Sequence, residues 1–256
     1  MAQEFRLPEI IEIARRDGRV TVDGLAAHFG VTLQTIRRDL AELAQNGRLE
    51  RVHGGAVLPS GTANIGYEDR RVLNAEGKAA IGRVCAAAIP NEQSMFMNIG
   101  TTTEAVARQM LCHRHMMVAT NNINIATILA ANPDCEIILS GGVLRRSDGG
   151  LVGSLAIETI GRFKFDIAVI GCSALDAEGD ILDFDIQEVG VSRTIIAQAR
   201  QTYLVADHLK FHRNAPARIA SLQAVERFYT DRPLSDALAR RCAEWGTEVI
   251  VCPVAD

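Results

Sequence analysis

The chain has 256 residues, 48% of them hydrophobic and 23% charged, with a net charge of −4 at pH 7, an ordinary balance for a globular protein with a sizeable core. No run approaches the roughly 18 apolar residues of a membrane span, and the charged first residues lack the apolar centre of a signal peptide. Six scattered cysteines without a C-x-x-C pair indicate neither a zinc site nor a disulfide framework, so a cytoplasmic protein without metal or cofactor is expected.

Residues 1–57 hold eight arginines and eight acids, so any contact with nucleic acid depends on where arginines are placed, not on bulk charge. A first helix is expected from Pro8 to about Arg16, with Pro8 in its first turn. Thr21 can cap a second helix, VDGLAAHF, with Leu25, Ala26 and Phe29 inward. Gly30 makes a tight turn, and Thr32 caps a third helix, LQTIRRDLAELAQN, whose Ile36, Leu40 and Leu43 form one buried face. Its other face presents Gln34, Thr35, Arg37, Arg38 and Glu42; a solvated face of Arg37, Arg38, Asp39 and Glu42, with Arg38 paired to Glu42, is the plain alternative. Two helices across a glycine turn, the second offering arginines, make a helix-turn-helix. RLERVHGGAV then reads as a wing, with Arg48, Arg51 and His53 toward phosphates or a minor groove and Gly54-Gly55 allowing a sharp turn or close backbone approach.

VTLQTIRRDLAEL followed by GRLERVHGGA resembles the signature of the DeoR family of bacterial transcriptional repressors, with Thr35 to Leu40 and His53 to Ala56 matching its two motifs. The resemblance implies a winged helix-turn-helix over 1–57 that binds double-stranded operator DNA through Thr32, Gln34, Thr35, Arg37, Arg38, Arg48, Arg51, His53, Gly54 and Gly55.

VLPSGTANIGY, 57–67, gathers turn residues without periodicity and reads as a linker, assigned to 58–74. Beyond it, short apolar runs at 94–99, 115–120, 135–140, 165–171, 202–207, 227–230 and 247–252 alternate with helical patterns near 76–88, 103–111, 123–131, 154–162, 188–200 and 235–245. This is the pattern of an α/β domain, 75–256, with buried, mostly parallel strands.

In SMFMNIGTTTEAVARQM a strand runs into Gly100, Thr101, Thr102 and Thr103 and then a helix, a place where free N–H groups and hydroxyls can receive an anion. Other strand ends carry Asn121 with Asn122, Gly141 with Gly142 near Arg145 and Arg146, and Asp207, His208 and Lys210. In open α/β sheets such loops converge on a ligand, and Lys210 and Arg145 are the cations best suited to a phosphate. GTTTEAVA, TNN, SGG and ADHLKF extend the family resemblance in order along this domain. They imply an effector domain similar to the ribose-5-phosphate isomerase fold. The implied effector is a small phosphorylated metabolite, glycerol-3-phosphate or a sugar phosphate, bound by Gly100, Thr101, Thr102, Thr103, Asn121, Gly141, Gly142, Arg145, Glu188, Asp207, His208 and Lys210, and its binding releases DNA. Self-association as dimers or tetramers is expected. Many family members carry Asp where Asn98 stands, Lys where Ser192 stands and Ser where Leu209 stands.

An isomerase needs a carboxylate base beside the substrate carbon, for which Glu188, Asp207 and Asp166 are candidates. Related isomerases have an acidic pair after the strand corresponding to FDIAVIG, where this chain has Gly171, Cys172 and Ser173. A ligand-released repressor with no catalytic residue is therefore expected. A sugar-phosphate isomerase is the alternative, and an interaction adaptor ranks last because it would use neither the arginines nor the polar loops.

Overall fold

The computed structural model describes residues 3–17, 19–52, 54–57 and 66–254. The chain divides into two compact units, Met1–Gly61 and Thr62–Asp256.

The first unit holds α1 (Gln3–Asp17), β1 (Arg19–Thr21), α2 (Val22–Phe29), α3 (Leu33–Gln45), β2 (Glu50–Val52) and β3 (Gly55–Val57). The expected caps form: the Thr21 hydroxyl accepts from the N–H of Gly24 and that of Thr32 from the N–H of Thr35. Ile10, Ala14, Leu25, Phe29, Ile36, Leu40, Leu43 and Leu49 close one core. The wing is the hairpin β2–β3, and β1 adds to it as an outer antiparallel strand beside β3. Three-residue β1 was invisible to periodicity; its partner, not its composition, makes it a strand.

Two expectations need correcting here. First, α1 begins at Gln3, so Pro8 sits inside it and not in its first turn. The added turn is anchored by the Arg6 guanidinium, which donates to Asp39 of α3 at 2.8 Å through Nε and 3.3 Å through Nη2. Second, Asp39 is therefore no member of a solvated face: it is 1% exposed.

The second unit continues with α4 (Tyr67–Val72), α5 (Ala75–Ala87), β4 (Ser94–Met97), α6 (Thr101–Gln109), β5 (Met116–Thr120), α7 (Ile123–Leu129) and β6 (Cys135–Leu139). Then come β7 (Val143–Arg145), β8 (Gly150–Val152), α8 (Ser154–Ile160), β9 (Phe165–Ile170), β10 (Ala174–Leu175), β11 (Asp180–Asp183) and α9 (Ile186–Ala197). β12 (Ala199–Val205), β13 (Ala217–Ser221), β14 (Arg227–Thr230), α10 (Asp236–Trp245) and β15 (Glu248–Val251) complete it. The apolar runs read from the sequence become one parallel sheet in the order β15-β14-β12-β9-β4-β5-β6.

Ile81, Cys85, Val106, Ile125 and Leu129 from α5, α6 and α7, with Met110 just after α6, pack in the core of one face. Ala156, Ile160, Val189, Ile195, Leu238 and Cys242 from α8, α9 and α10 pack in the other. Burial on both faces explains why the strands read as continuous apolar runs instead of alternating ones.

The assigned linker is not irregular throughout. Tyr67–Val72 forms α4, tied by Tyr67 to α6, while 58–65 lies outside the described residues. Also absent from the sequence reading are the hairpin β7–β8 and the small antiparallel sheet β10-β11-β13. None of the helices is long and apolar enough to cross a membrane, and no cluster of metal-binding side chains occurs among the described residues.

Candidate functional site: an arginine-bearing helix and a charged cavity

On the first unit, Gln34, Arg37 and Arg38 stand exposed on the early turns of α3, with Thr35 half-buried beside them. Spacing of three and four residues puts Gln34, Arg37 and Arg38 on one helical face. Arg48 and Arg51 are also exposed, and Arg51 Nη1 donates to the Arg37 carbonyl at 3.5 Å, which brings the wing arginine to α3. His53 lies outside the described residues. Thr32 is occupied as the helix cap, its hydroxyl 2.9 Å from that of Thr35.

Gly54 and Gly55 have structural work of their own. Gly54 turns the hairpin at φ 76° and its carbonyl accepts from Val22 N–H. A Cβ on Gly55 would stand 1.9 Å from the Val20 carbonyl oxygen, so no side chain fits where β1 meets β3.

On the second unit the chain starts its sheet at β4 and moves outward to β5 and β6. It then returns to β9 on the other flank of β4. That reversal is a topological switch point, where strand-end loops diverge and leave a crevice. A cavity of about 360 Å³ lies there. Asn98, Ile99 and Gly100 after β4, Gly171 to Ser173 after β9, Val205 at the end of β12 and Lys210 beyond it form its floor. Arg145 and Asp148 of the β7–β8 hairpin, Asp183, Asp185, Glu188 and Ser192 around the start of α9, and Tyr67 and Arg70 of α4 form its walls.

Of the residues assigned to an effector, Gly100, Thr101, Thr102, Arg145, Glu188 and Lys210 line this one cavity. The other residues assigned to it do not line it. The Thr103 hydroxyl turns back to donate to the Gly100 carbonyl at 2.7 Å. Asn121 is fully buried and donates to the Leu151 carbonyl. Gly141 and Gly142, at φ 71° and 116°, let the chain turn after β6; a Cβ on Gly142 would meet the Val152 carbonyl oxygen at 2.6 Å. Asp207 caps the short turn that follows it, accepting from Leu209 N–H. His208 faces the other way, with Nδ1 2.7 Å from Asp231. Asp166 sits at the amino end of β9, where its carboxylate accepts from Ser94, away from the strand ends that form the cavity.

The charges in the cavity fall into two groups. Arg145 makes paired bonds to Asp148, both 2.9 Å, reaches Asp185 at 2.6 Å and approaches Glu188 at 3.8 Å. Burial alone would push the Asp148 carboxyl up, but the bonds and charge of Arg145, with Arg70 beyond, hold it below the usual range. Glu188 is less well served. Its Oε2 has no hydrogen-bond partner, and burial, only partly offset by Arg145, pushes its carboxyl up to about 8.

The second group is cationic and extends beyond the lining residues: Lys210, Lys78 and Arg213 lie within electrostatic reach of Asp207, and Arg70 within reach of Lys78 and Arg213. Burial, with repulsion from Arg213, lowers the Lys210 ammonium to about 7; burial lowers that of Lys78 to about 8. Around Asp207 the cations outnumber the carboxylate, and Lys210 and Arg70, which line the cavity, are suited to receive an anion alongside Thr101 and Thr102 at the amino end of α6.

Asn98 Nδ2 donates to the Ser192 hydroxyl at 2.9 Å, and Ser192 in turn lies 3.4 Å from Glu188. Two of the positions where this sequence departs from the family pattern are therefore bonded to one another. The Ser173 hydroxyl likewise donates to Asp183 at 2.7 Å, so the cavity does hold carboxylates near Gly171–Ser173, supplied by β11 and the loop after it.

Residues 6–62 match the family described as DeoR-like helix-turn-helix domain, and residues 73–232 that described as DeoR C terminal sensor domain. The chain is 43% identical over 233 residues to the glycerol-3-phosphate regulon repressor of Escherichia coli, covering 91% of this chain and 92% of that one. It is 40% identical over 252 residues to the glycerol-3-phosphate regulon repressor of Haemophilus influenzae, covering 98% of each. Among solved structures it is similar to ribose 5-phosphate isomerase from Methanocaldococcus jannaschii, with a TM-score of 0.39 and 8% identity over 52% of this chain and 53% of that one. With a helix-turn-helix unit, a sensor unit and repressors as its relatives over nearly the whole length, the chain belongs to the DeoR family of DNA-binding transcriptional repressors.

Proposed function

We propose that the protein represses genes of carbon catabolism from operator DNA in the cytoplasm and is released when glycerol-3-phosphate fills the cavity at the switch point. The observation that carries this reading is the division of charge within one cavity. Lys210, Arg70 and the α6 amino end suit a phosphoryl group, and Asp183, Asp185 and Glu188 offer acceptors for hydroxyls. A phosphorylated polyol has those two ends. The names of the relatives point to the same compound. The volume of about 360 Å³ favours, as a second reading, a longer sugar phosphate.

On the DNA side, Arg37 and Arg38 meet phosphates and base edges, Gln34 and Thr35 base edges, and Arg48 and Arg51 the backbone beside the wing. Dimers or tetramers present paired helices to repeated half-sites.

Calorimetric titration of the full chain with glycerol-3-phosphate, ribose-5-phosphate and inorganic phosphate tests the ligand. Saturable binding is expected, tightest for glycerol-3-phosphate; no heat with it at any concentration up to millimolar would remove it as the effector.

The same titration has a predicted pH dependence. A bound dianion favours the charged form of Lys210, whose pKa of about 7 in the free site must rise. Affinity is thus complete below pH 7 and falls as pH rises above it, by up to about tenfold per unit. Loss of the Glu188 proton near 8 adds negative charge and acts in the same direction. Below about pH 6 the phosphate loses its second charge, so the optimum lies between about pH 6 and 7. A flat profile from pH 6 to 9 would show that neither group faces the ligand.

A further inference from the structure

The helix α4 stands in a stretch that its composition marks as a connector, yet it forms part of the cavity wall. Gly66, Tyr67 and Arg70 face the cavity, while Glu68, Arg71 and Val72 are exposed. None of its described side chains is fully buried, so apolar packing contributes little to holding it.

Its attachments are polar. The Tyr67 hydroxyl donates to Glu104 of α6 at 2.9 Å, and Asn124 of α7 donates both to that hydroxyl and to Glu104. Arg70 Nη2 donates to Asp148 at 3.2 Å. At the far end of α4 the buried Lys78 ammonium donates to the carbonyls of Arg70 and Leu73. An element held by a few polar ties opens at lower cost than one held by core packing.

Arg70 is the residue that joins this helix to the cavity's chemistry. Its Nε is buried and has no hydrogen-bond partner. Asp148, which it touches, is already paired through two bonds with Arg145. Arg70 can therefore turn toward an entering anion without leaving Asp148 unpaired. It also lies within electrostatic reach of the cations Lys78 and Arg213.

We propose that Arg70 is a direct ligand of the effector's phosphoryl group, and that α4 is the element whose docking reports occupancy of the cavity to the chain leading from the N-terminal unit. The inference rests on the reading of the cavity as a phosphate-ester site. In energetic terms the effector favours the state with α4 docked, because only there does Arg70 meet it. The residues preceding α4 then feel that preference directly through the backbone.

Amide exchange by mass spectrometry on the full chain, over peptides covering 66–73 and 100–106, tests this with saturating glycerol-3-phosphate, ribose-5-phosphate and inorganic phosphate. In the wild type, a bound ligand should slow exchange in both peptides, by at least about tenfold in 66–73. In Arg70→Gln, affinity should fall at least about tenfold. Peptide 100–106 should still be protected at saturation and peptide 66–73 should not. Tyr67→Phe, which keeps shape and loses only the hydroxyl's bonds with Glu104 and Asn124, should raise exchange of 66–73 without ligand and leave the unfolding midpoint near that of the wild type.

Protection of 100–106 with no change in 66–73 would overturn the proposal, as would wild-type affinity in Arg70→Gln. If glycerol-3-phosphate protects neither peptide while another probe protects both, the proposal stands and the choice of effector falls. If no probe protects either peptide, both fall.

Discussion

Lys210→Met is expected to weaken binding of glycerol-3-phosphate by about 10- to 100-fold, the loss of one charged hydrogen bond, while raising the unfolding midpoint. The two effects share a cause. Burial holds the Lys210 ammonium at about 7, so its folded value lies below that of the unfolded chain. The unfolded chain then binds the extra proton between about 7 and the ordinary lysine range, and the cost of burying the charge grows as pH falls across that window. Methionine removes the cost and fills similar space. The gain in stability should therefore be largest near and below pH 7 and fade toward pH 10, which a thermal series at three pH values would measure. Operator affinity without effector should match the wild type. A variant that loses stability and both binding activities together would mean that Lys210 is a structural residue.

Asp39→Ala should destabilise the N-terminal unit by about 2–3 kcal/mol, because the buried Arg6 guanidinium would lose both of its bonds to Asp39. A unit of this size has only a few kcal/mol to lose, so operator binding should fall with it. The neighbouring changes Arg37→Ala and Arg38→Ala lie on exposed positions and should leave the midpoint within about 0.5 kcal/mol. They should still weaken operator binding. Thermal unfolding alongside operator titration separates the two groups. Equal stability of all three variants would refute the role given to Asp39.

Asp39 marks where pattern reading meets its limit. Within TIRRDL its charge and its place beside two arginines suggest a wet face, and only a partner 33 positions away decides that it is buried. The apolar stripe Ile36, Leu40 and Leu43 needed no such partner and was legible at once. In the same way each long strand announced itself as an apolar run, whereas β7, β8 and β10 are two or three residues long and owe their form to pairing.

The cavity was legible where strand ends carry it. Gly100, Thr101, Thr102 and Lys210 follow β4 and β12 directly, so the general rule for open sheets located them. The same rule overreached at Asn121, Gly142 and Asp207, whose polar or flexible character serves the backbone of the loops themselves.

Missed altogether were Tyr67, Arg70, Asp148, Asp183 and Asp185 as wall residues. They come from short irregular elements, and distance along the chain hides their convergence. The available signal was YEDRRV, an aromatic and two arginines at helical spacing in a stretch otherwise made of turn residues. Asn98 and Ser192, noted separately as departures from the family pattern, prove to be hydrogen-bonded to one another. A neutral pair stands there, next to a Glu188 whose carboxyl is pushed up to about 8.

Titration of a fluorescent operator duplex with the full chain, in the absence and presence of saturating glycerol-3-phosphate, tests the central claim. The operator can be selected from random sequence with the protein itself. Effector is predicted to weaken operator binding by at least about tenfold, and operator to weaken effector binding by the same factor, as linkage requires. Operator affinity that stays unchanged at saturating glycerol-3-phosphate, with binding of that ligand verified in the same sample, would contradict the account.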